Sequence, residues 1–145
     1  MSSKREQILS ALHTKLKTLE TAKLKVYRNL DKPQKVVEDG VIILRDGESA
    51  EPEVLLSPLT YIYEHFASLE VMVQHPDQAT RDSVVDALLG SIGGIITSNR
   101  SLDGLAEWME ARSPDFNDEP IEGAPTIRAA TLQVMIRFFT ADPLN

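Results

Sequence analysis

A long stretch rich in aromatic and β-branched residues, 60–74, is the feature that most constrains how this chain can fold. Such residues favour β-strands. Because the stretch is longer than an ordinary strand, we expect a bulge or bend near Ala67 and Ser68. Another strand is predicted over residues 127–139, where apolar side chains recur at every second position. Its apolar face comprises Ala130, Leu132, Val134, Ile136 and Phe138.

Shorter strands and two acidic loops are predicted between these long segments. The strands fall at residues 24–28, 41–44 and 53–56, and a turn and a strand containing the only tryptophan fall within 102–109. A break is expected at residues 31–33, and the dipeptide Asp46-Gly47 predicts a turn that ends the second strand. The two loops are predicted over residues 46–53 and 113–125, and the second carries Asp115, Asp118 and Glu119.

Two amphipathic helices are predicted. The first is a basic N-terminal helix over residues 4–20, which begins with a Ser3–Glu6 capping box and exposes Lys15 and Lys17. Its apolar positions are Ile8, Leu9, Leu12, Leu16 and Leu19. The order of elements predicts a single α+β domain, residues 1–145, in which a mostly antiparallel sheet packs against two main helices.

The second helix, about residues 80–97, has a wide apolar stripe and an opposite face of mostly small residues. The stripe comprises Val84, Val85, Leu88, Leu89, Ile92, Ile95 and Ile96, and the opposite face includes Asp86, Gly90, Gly93 and Gly94. Three glycines cost a helix roughly 3 kcal/mol relative to alanine. That cost makes sense if another backbone approaches closely. The alternative is an exposed, weakened helix.

The charges of this chain are strongly polarised along the sequence. All seven lysines lie in residues 1–35, which carry a net charge of +6, whereas residues 36–145 carry −13, for a total of −7. Surfaces of opposite sign suit a head-to-tail contact between identical copies. The alternative is that both surfaces are simply solvated. The acidic balance argues against a sequence-specific nucleic-acid binder.

A search for chemistry finds no catalytic constellation. The chain has no cysteine, so it has neither disulfides nor thiolate ligands. The glycines at residues 90–94 lack the lysine of a phosphate loop, and there is no nucleophile elbow. His75 and Asp77 could join the acidic loop in a metal site, but two ligands in a turn are weak evidence for one, and a solvated loop is the alternative. We therefore expect no enzyme activity, no cofactor and no metal.

One arrangement leaves a different class of function open. Tyr61, Tyr63 and His65 recur at period two and are predicted to share a sheet face, which could serve a small enzyme or a ligand-binding domain. A packed aromatic face is the alternative interpretation. No run of 18 apolar residues is present, so no membrane span is expected.

Several short motifs follow one another in a recognisable order. They are the N-terminal helix, Val26-Tyr27-Arg28-Asn29, the Asp39-Gly40 and Asp46-Gly47 dipeptides, Tyr61-x-Tyr63-Glu64-His65, Leu69-Glu70-Val71, Arg81 at the start of the second helix, Asn99-Arg100-Ser101-Leu102-Asp103-Gly104-Leu105, and Phe139-Thr140-Ala141-Asp142-Pro143-Leu144. In this order the chain resembles the tail terminator (minor tail) proteins of long-tailed bacteriophages and prophages, of the phage lambda type. The family tends to have a glycine where this chain has Asp103.

The resemblance implies a structural role in a virion. Proteins of this family form a hexameric ring on the end of the tail tube, stop its polymerisation and offer a surface to the head–tail connector. DNA passes through the ring without sequence reading, and the family supplies no catalytic residue. The implied locations are the bacterial cytoplasm during assembly and then the virion tail. A neck or head-completion protein is the alternative within the same assembly.

These interpretations give one set of candidate assembly contacts. They lie on the first helix, the second helix and the acidic segment: Lys15, Lys17, Asp86, Gly90, Gly93, Gly94, Asp115, Asp118 and Glu119.

Overall fold

The computed structural model describes residues 2–30 and 39–145. Over these residues the chain folds in the order α1 (Lys4–Lys17), β1 (Lys25–Arg28), β2 (Val41–Ser49), β3 (Glu53–Leu56), β4 (Leu59–Gln74), α2 (Gln78–Ser98), β5 (Trp108–Ala111), β6 (Asp115–Glu119) and β7 (Ile127–Thr140). The predicted break at residues 31–33 lies outside this part of the chain.

The strands form one mostly antiparallel sheet around two long central strands. β4 pairs with β7 without interruption from Tyr61↔Thr140 to Gln74↔Ile127. On the other side of β4 lie β2 and β3, and β1 joins the outer edge of β2 in parallel. On the other side of β7 lie β5 and β6, one after the other. The sheet therefore has β1 at one edge and β5 and β6 at the opposite edge.

Both helices cover one face of the sheet. The alternating residues of β4 and β7 that face them are fully or nearly fully buried, including every member of the predicted apolar face of β7. α1 contributes Ile8, Leu9, Leu12 and Leu16, and α2 contributes Val85, Leu88, Ile92 and Ile96. A smaller cluster around Val41, Ile43 and Met72 lies on the other face of the sheet. The predicted α+β class is thus confirmed.

The long strand β4 is regular, so the bulge predicted near Ala67 and Ser68 lies instead in its neighbour. The register of β2 against β4 shifts between Arg45↔Ser68 and Glu48↔Phe66, which leaves Asp46 and Gly47 facing one residue of β4. Gly47 has φ +68°, which a bulge of this kind needs and which glycine adopts without strain. The predicted turn at Asp46-Gly47 is therefore wrong, because the dipeptide forms a bulge within β2.

Both predicted acidic loops contain strand. In the first segment, 46–53, only residues 50–52 lie between β2 and β3. In the second segment, 113–125, Asp115–Glu119 pairs with β7 as β6. Edge strands carry charged residues readily, because their outer side meets water. Acidic composition therefore did not distinguish these strands from loops.

The helix boundaries match the prediction closely at the start of α1 and less well at its end. The amide of Glu6 donates to Ser3 Oγ at 3.1 Å, which is half of the expected capping box. The other half is missing because the Glu6 carboxylate binds Arg28. Residues 18–20 form a turn beyond the last residue of the helix, Lys17. In the described ranges, neither helix combines the length and hydropathy needed to cross a bilayer.

Candidate functional site

The two basic candidates lie in the last turn of α1. Positive charge is favourable there, because the carbonyl end of a helix carries partial negative charge. Lys17 Nζ is 3.5 Å from Glu20 Oε1, an exposed pair that contributes little to stability. Lys15 lines a groove along α1 whose other side includes Asp103. Lys17 is exposed as predicted, whereas Lys15 is half-buried on the side of the helix that faces Asp103.

Arg28 of β1 forms its ion pairs within the subunit. Its Nη1 and Nη2 each donate to a Glu6 carboxylate oxygen at 2.8 Å, and its Nε donates to Asp46 Oδ1 at 3.0 Å. The hydrogen bonds from Arg28 lower the pKa of Glu6, and those to Glu6 raise the pKa of Arg28. Arg28 therefore ties α1 and β1 to the bulge of β2.

The outer edge of β1 is partly closed by a side chain. Glu20 Oε2 accepts the amide of Val26 at 2.9 Å, and this bond lowers the pKa of Glu20. Because Val26 uses its amide in this way, a further strand could not pair with β1 at this position. A contact at this edge would therefore rely on side chains.

The glycine face of α2 is open in the subunit. Gly90 and Gly94 are exposed and Gly93 is half-buried, and a Cβ built at any of the three would meet nothing within 4 Å. Asp86 is exposed on the same helix. The predicted placement of the apolar stripe toward the sheet is confirmed by the burial of Val85, Leu88, Ile92 and Ile96. No backbone of the described residues packs on the glycines, so this face of α2 is open within that part of the chain.

The acidic candidates lie together on β6, away from the lysines. Asp115, Asp118 and Glu119 are all exposed. Asp118 accepts from Arg128 Nη1 at 3.1 Å, and Arg128 Nε lies 3.1 Å from Asp82 Oδ1 of α2. The structure thus brings β6 and the start of α2 together through Arg128. Lys17 belongs to a separate surface, since its partner Glu20 binds β1 at the opposite edge of the sheet.

A group of exposed apolar residues at the tip of the β3–β4 hairpin was not found from the sequence. β3 pairs only with the first four residues of β4. The pairing of β4 with β7 begins at Tyr61, so the tip of the hairpin, which precedes Tyr61, is not paired with β7. The exposed side chains, with their exposed fractions, are Val54 at 44%, Leu55 at 48%, Leu56 at 80% and Leu59 at 47%. The signal in the sequence was a run of leucines around Ser57-Pro58, next to acidic residues.

An apolar groove separates α2 from the segment between α1 and β1. Its volume is about 310 Å³. One wall is formed by Thr21 and Leu24, and Asp39 also borders it. The other wall is formed by residues of α2, which are Ser83, Val84, Ala87, Leu88 and Ser91. We call this feature the α2 groove.

His65 is buried and fully hydrogen-bonded. Its Nδ1 lies 2.7 Å from Ser49 Oγ and its Nε2 lies 2.5 Å from the carbonyl oxygen of Asp46. The carbonyl can only accept, so Nε2 carries the proton and Nδ1 accepts from the Ser49 hydroxyl. Burial lowers the pKa of His65, which favours this neutral form.

The two tyrosines share the sheet face of His65, as predicted, and both pack into the core. Tyr63 stacks on Phe138 with ring centroids 5.4 Å apart, and Tyr61 packs partly buried against the main core. Four grooves on the described part of the chain include none of Tyr61, Tyr63 and His65 in their linings. The contacts of these three side chains stabilise the bulge of β2 and the core.

His75 and Asp77 serve the start of α2. His75 Nδ1 accepts the amide of Asp77 at 3.0 Å, and Asp77 Oδ2 accepts both the amide and the hydroxyl of Thr80. These hydrogen bonds lower the pKa of Asp77. Within residues 2–30 and 39–145, no three metal-ligating side chains lie close enough together to hold an ion.

The sequence matches no protein-family model, and a search of curated proteins finds no significant match. The function therefore has to be argued from the surfaces described above.

Proposed function

We propose that this chain is a structural subunit of a phage tail that caps the tail tube, stops its polymerisation and provides the surface for head–tail joining. One observation carries the proposal. Strand β1, with Lys25, lies at one edge of the sheet, and Lys17 of α1 is close to it because its partner Glu20 binds β1. The acidic strand β6 lies at the opposite edge. Identical copies placed side by side would then meet positive surface on negative surface.

Such an arrangement is heterologous, because each copy uses a different surface on either side. Heterologous contacts give a ring when the rotation between neighbours closes. The resemblance of the sequence to lambda-type tail terminators suggests six copies. In this proposal the partners are further copies of the chain, the tail-tube protein and the head–tail connector. DNA passes through the ring without sequence-specific recognition. Assembly takes place in the bacterial cytoplasm, and the ring remains in the virion tail.

The packing around His65 supports a structural role over a catalytic one. Both ring nitrogens are occupied, and Tyr63 is stacked rather than exposed in a cleft. A hydrolase or transferase would need the Ser49–His65 pair to face a space that admits a substrate. A screen that finds turnover abolished by His65→Ala, with unchanged stability, would contradict this part of the proposal.

The test of the proposal uses purified tails. Light scattering should show that the free protein is small and that it assembles on addition of tail tubes, and electron microscopy should show a ring at the tube end. Immobilised protein should capture tail-tube protein in preference to the portal and its adaptor, since capture by the latter would favour a neck protein. Completed tails that lack a ring of this chain would refute the proposal.

A further inference from the structure

We propose that β1 of one copy pairs with β5 of the next copy as antiparallel strands, with Val26 opposite Met109. In the free subunit the side chains of Glu20 and Arg100 block this pairing, and assembly displaces them. The inference rests on the proposed function for the expectation that copies meet edge to edge. It adds the two strands, their register and the side chains that control the contact.

Each of the two strands has a backbone group that is covered by a side chain of its own subunit. β1 and β5 lie at opposite edges of the sheet, and in the described ranges each pairs with one strand only. Glu20 Oε2 accepts the amide of Val26 at 2.9 Å, and Arg100 Nη1 donates to the carbonyl oxygen of Met109 at 2.8 Å. One covered group is thus a donor and the other an acceptor. Together they are the two halves of one hydrogen bond between strands.

Both covered groups point away from the sheet. Backbone groups alternate between the two sides of a strand. The amides of Lys25 and Asn29 donate toward β2, so the backbone groups of Val26 point outward. The amide of Arg112 donates to β7, so those of Met109 also point outward. Once the side chains leave, each edge offers the donor and the acceptor that a hydrogen-bonded pair of residues exchanges.

The directions and faces of the two strands agree with this pairing. β1 is parallel to β2, whereas the pairs β2–β4, β4–β7 and β7–β5 are antiparallel. In two copies that lie side by side in the same orientation, β1 of one and β5 of the other therefore run in opposite directions. Val26 and Met109 both belong to the core beneath the helices. Pairing them keeps the helices of both copies on one side and continues the sheet from copy to copy.

The same register places complementary side chains opposite one another, which identifies a second copy as the strand that fits. On the face of the sheet away from the helices, Lys25 would lie opposite Glu110, and Tyr27 opposite Trp108. Trp108 is 44% exposed in the free subunit. No ion pair in the described part of the chain includes Lys25 or Glu110. Opposite charges and aromatic pairs directly across two strands stabilise their pairing.

The stagger between the two edges suits a ring. Across the sheet Val26 is level with Ala130 of β7, whereas Met109 is level with Ile136, six residues farther along the same strand. Each added copy is therefore shifted by roughly 20 Å along the strands, over a sheet width of five strands or roughly 24 Å. The resulting tilt of roughly 40° lies in the range in which a sheet closes on itself.

Removal of the two blocking side chains tests their role without tail tubes. The variant with Glu20→Ala and Arg100→Ala should associate at concentrations at least ten-fold lower than the parent in sedimentation velocity. The control carries Lys17→Ala and Arg112→Ala, which removes the ion-pair partner of Glu20 and another arginine but leaves both blocking bonds in place. It should behave as the parent does. A folded double variant that associates no more readily than this control would overturn the proposal.

Because the chain has no cysteine, disulfide trapping can test the register in the unblocked variant. Tagged Lys25→Cys protein mixed with Glu110→Cys protein should give at least ten-fold more mixed dimer under mild oxidation than the same protein mixed with Glu119→Cys. Glu119 lies on β6 at the same edge and is more exposed than Glu110, so random collision would favour the control. Equal yields would overturn the proposal.

A charge exchange tests the register without cysteine. In the unblocked variant, Lys25→Glu should weaken association by ten-fold or more, because two carboxylates would face each other across the strands. Addition of Glu110→Lys should restore it. Association that stays weak in the exchanged pair, or that is lost only with Leu56→Asp at the hairpin tip, would count against strand pairing.

The outcomes also separate this contact from the proposed function. Trapped strands in a protein that fails to cap tails would refute the terminator role and leave the contact intact. Capping by the parent, without association or trapping in the unblocked variant, would refute only the contact.

Discussion

At the scale of single residues, the bulge of β2 is a joint where several parts of the fold meet. Gly47 makes it possible by adopting φ +68°. The bulge turns the carbonyl of Asp46 toward His65 and its carboxylate toward Arg28. Through Arg28 the joint continues to Glu6 on α1. A polar network of this kind is stable because its buried members are satisfied.

Replacing Gly47 with alanine should strongly destabilise the protein. The new Cβ would lie 1.9 Å from the carbonyl oxygen of Phe66, in a backbone conformation that alanine adopts with strain. We expect a loss of roughly 2–4 kcal/mol in the free energy of unfolding, measured by denaturant titration. The matched control is Gly90→Ala, which meets open space on α2 and should gain up to about 1 kcal/mol. Equal effects of the two substitutions would show that the bulge does not exist in solution.

The stability should fall as the pH drops below about 6.5, because of His65 and of His13, which is a half-buried residue of α1. Burial lowers the pKa of both side chains in the folded state, so only the unfolded chain takes up their protons at first. The contribution of these histidines to the free energy of unfolding is therefore fully present above pH 6.5, their pKa in the unfolded chain. It declines as the pH falls toward their lower pKa values in the folded state. Denaturant titrations between pH 7.5 and 5 measure this slope.

The variants His65→Gln and His13→Gln should each remove part of that slope, and the double variant should remove both parts. Loss of the Ser49 and Asp46 partners should also cost His65→Gln about 1–3 kcal/mol at neutral pH. The carboxylates with lowered pKa, such as Glu6 and Glu20, lose their contribution only at lower pH, starting near their unfolded value of 4.5. An unchanged slope in the double variant would contradict the assignment to these histidines.

At the scale of elements, the sequence predicted those whose burial is periodic. The helix α2 and the strand β7 each bury one regular face, so apolar spacing located them within a few residues. The strand β6 has no buried face in the sequence DFNDE, and its hydrogen bonds come from β7, which is distant along the chain. Likewise the dipeptide Asp46-Gly47 is compatible with a hairpin turn and with a bulge. Only the pairing with β4 decides between them.

The candidate surfaces show the same division. The open glycine face of α2 and the lysines of α1 followed from helical spacing. The exposed hairpin tip and the α2 groove depend on where β3 ends relative to β7 and on how α2 packs beside Leu24. Those relations are tertiary, and no local pattern encodes them.

Substitution of single isoleucines of α2 by alanine should distinguish the face of the helix that packs on the sheet from the side of the helix. Ile92 is buried, whereas Ile95 is only half-buried. Ile92→Ala should cost roughly 2–5 kcal/mol, because it leaves a cavity between α2 and the sheet. Ile95→Ala removes the same atoms and should cost clearly less. Thermal melts of the two variants make the comparison, and a larger loss for Ile95→Ala would mean that the helix is rotated.

Hydrogen exchange should rank the strands by their pairing. Amides shared by β4 and β7 should exchange slowest, because both strands are paired on two sides over much of their length. Amides of β6 should be intermediate, and those of residues 120–124 fastest. Mass spectrometry or NMR would resolve these segments. If β6 exchanges as fast as residues 120–124, its pairing with β7 is absent in solution.

At the scale of the whole molecule, opposite charges at opposite edges of the sheet should make assembly sensitive to salt. Lys15→Glu with Lys17→Glu should weaken ring formation on tail tubes by ten-fold or more. The free energy of unfolding should fall by only roughly 0.3–1 kcal/mol per site, because negative charge is unfavourable in the last turn of a helix. Raising the ionic strength from 0.05 to 0.5 M should weaken the parent in the same direction. The control is Lys4→Glu, at the far end of α1. Assembly that ignores both changes would leave apolar contacts as its sole basis.

The bulge also determines where this chain could change in length. Arg45↔Ser68 and Glu48↔Phe66 remain paired on either side of Asp46 and Gly47, so deletion of Gly47 would restore a regular ladder and keep both pairs. Deleting a residue elsewhere in β2 would instead move part of the strand to the opposite face. In the shortened chain Asp46 would stand opposite the buried Ala67 and point toward the helices. Shorter descendants of this fold are therefore accessible only if the same step replaces that aspartate with an apolar residue and gives up its bond to Arg28.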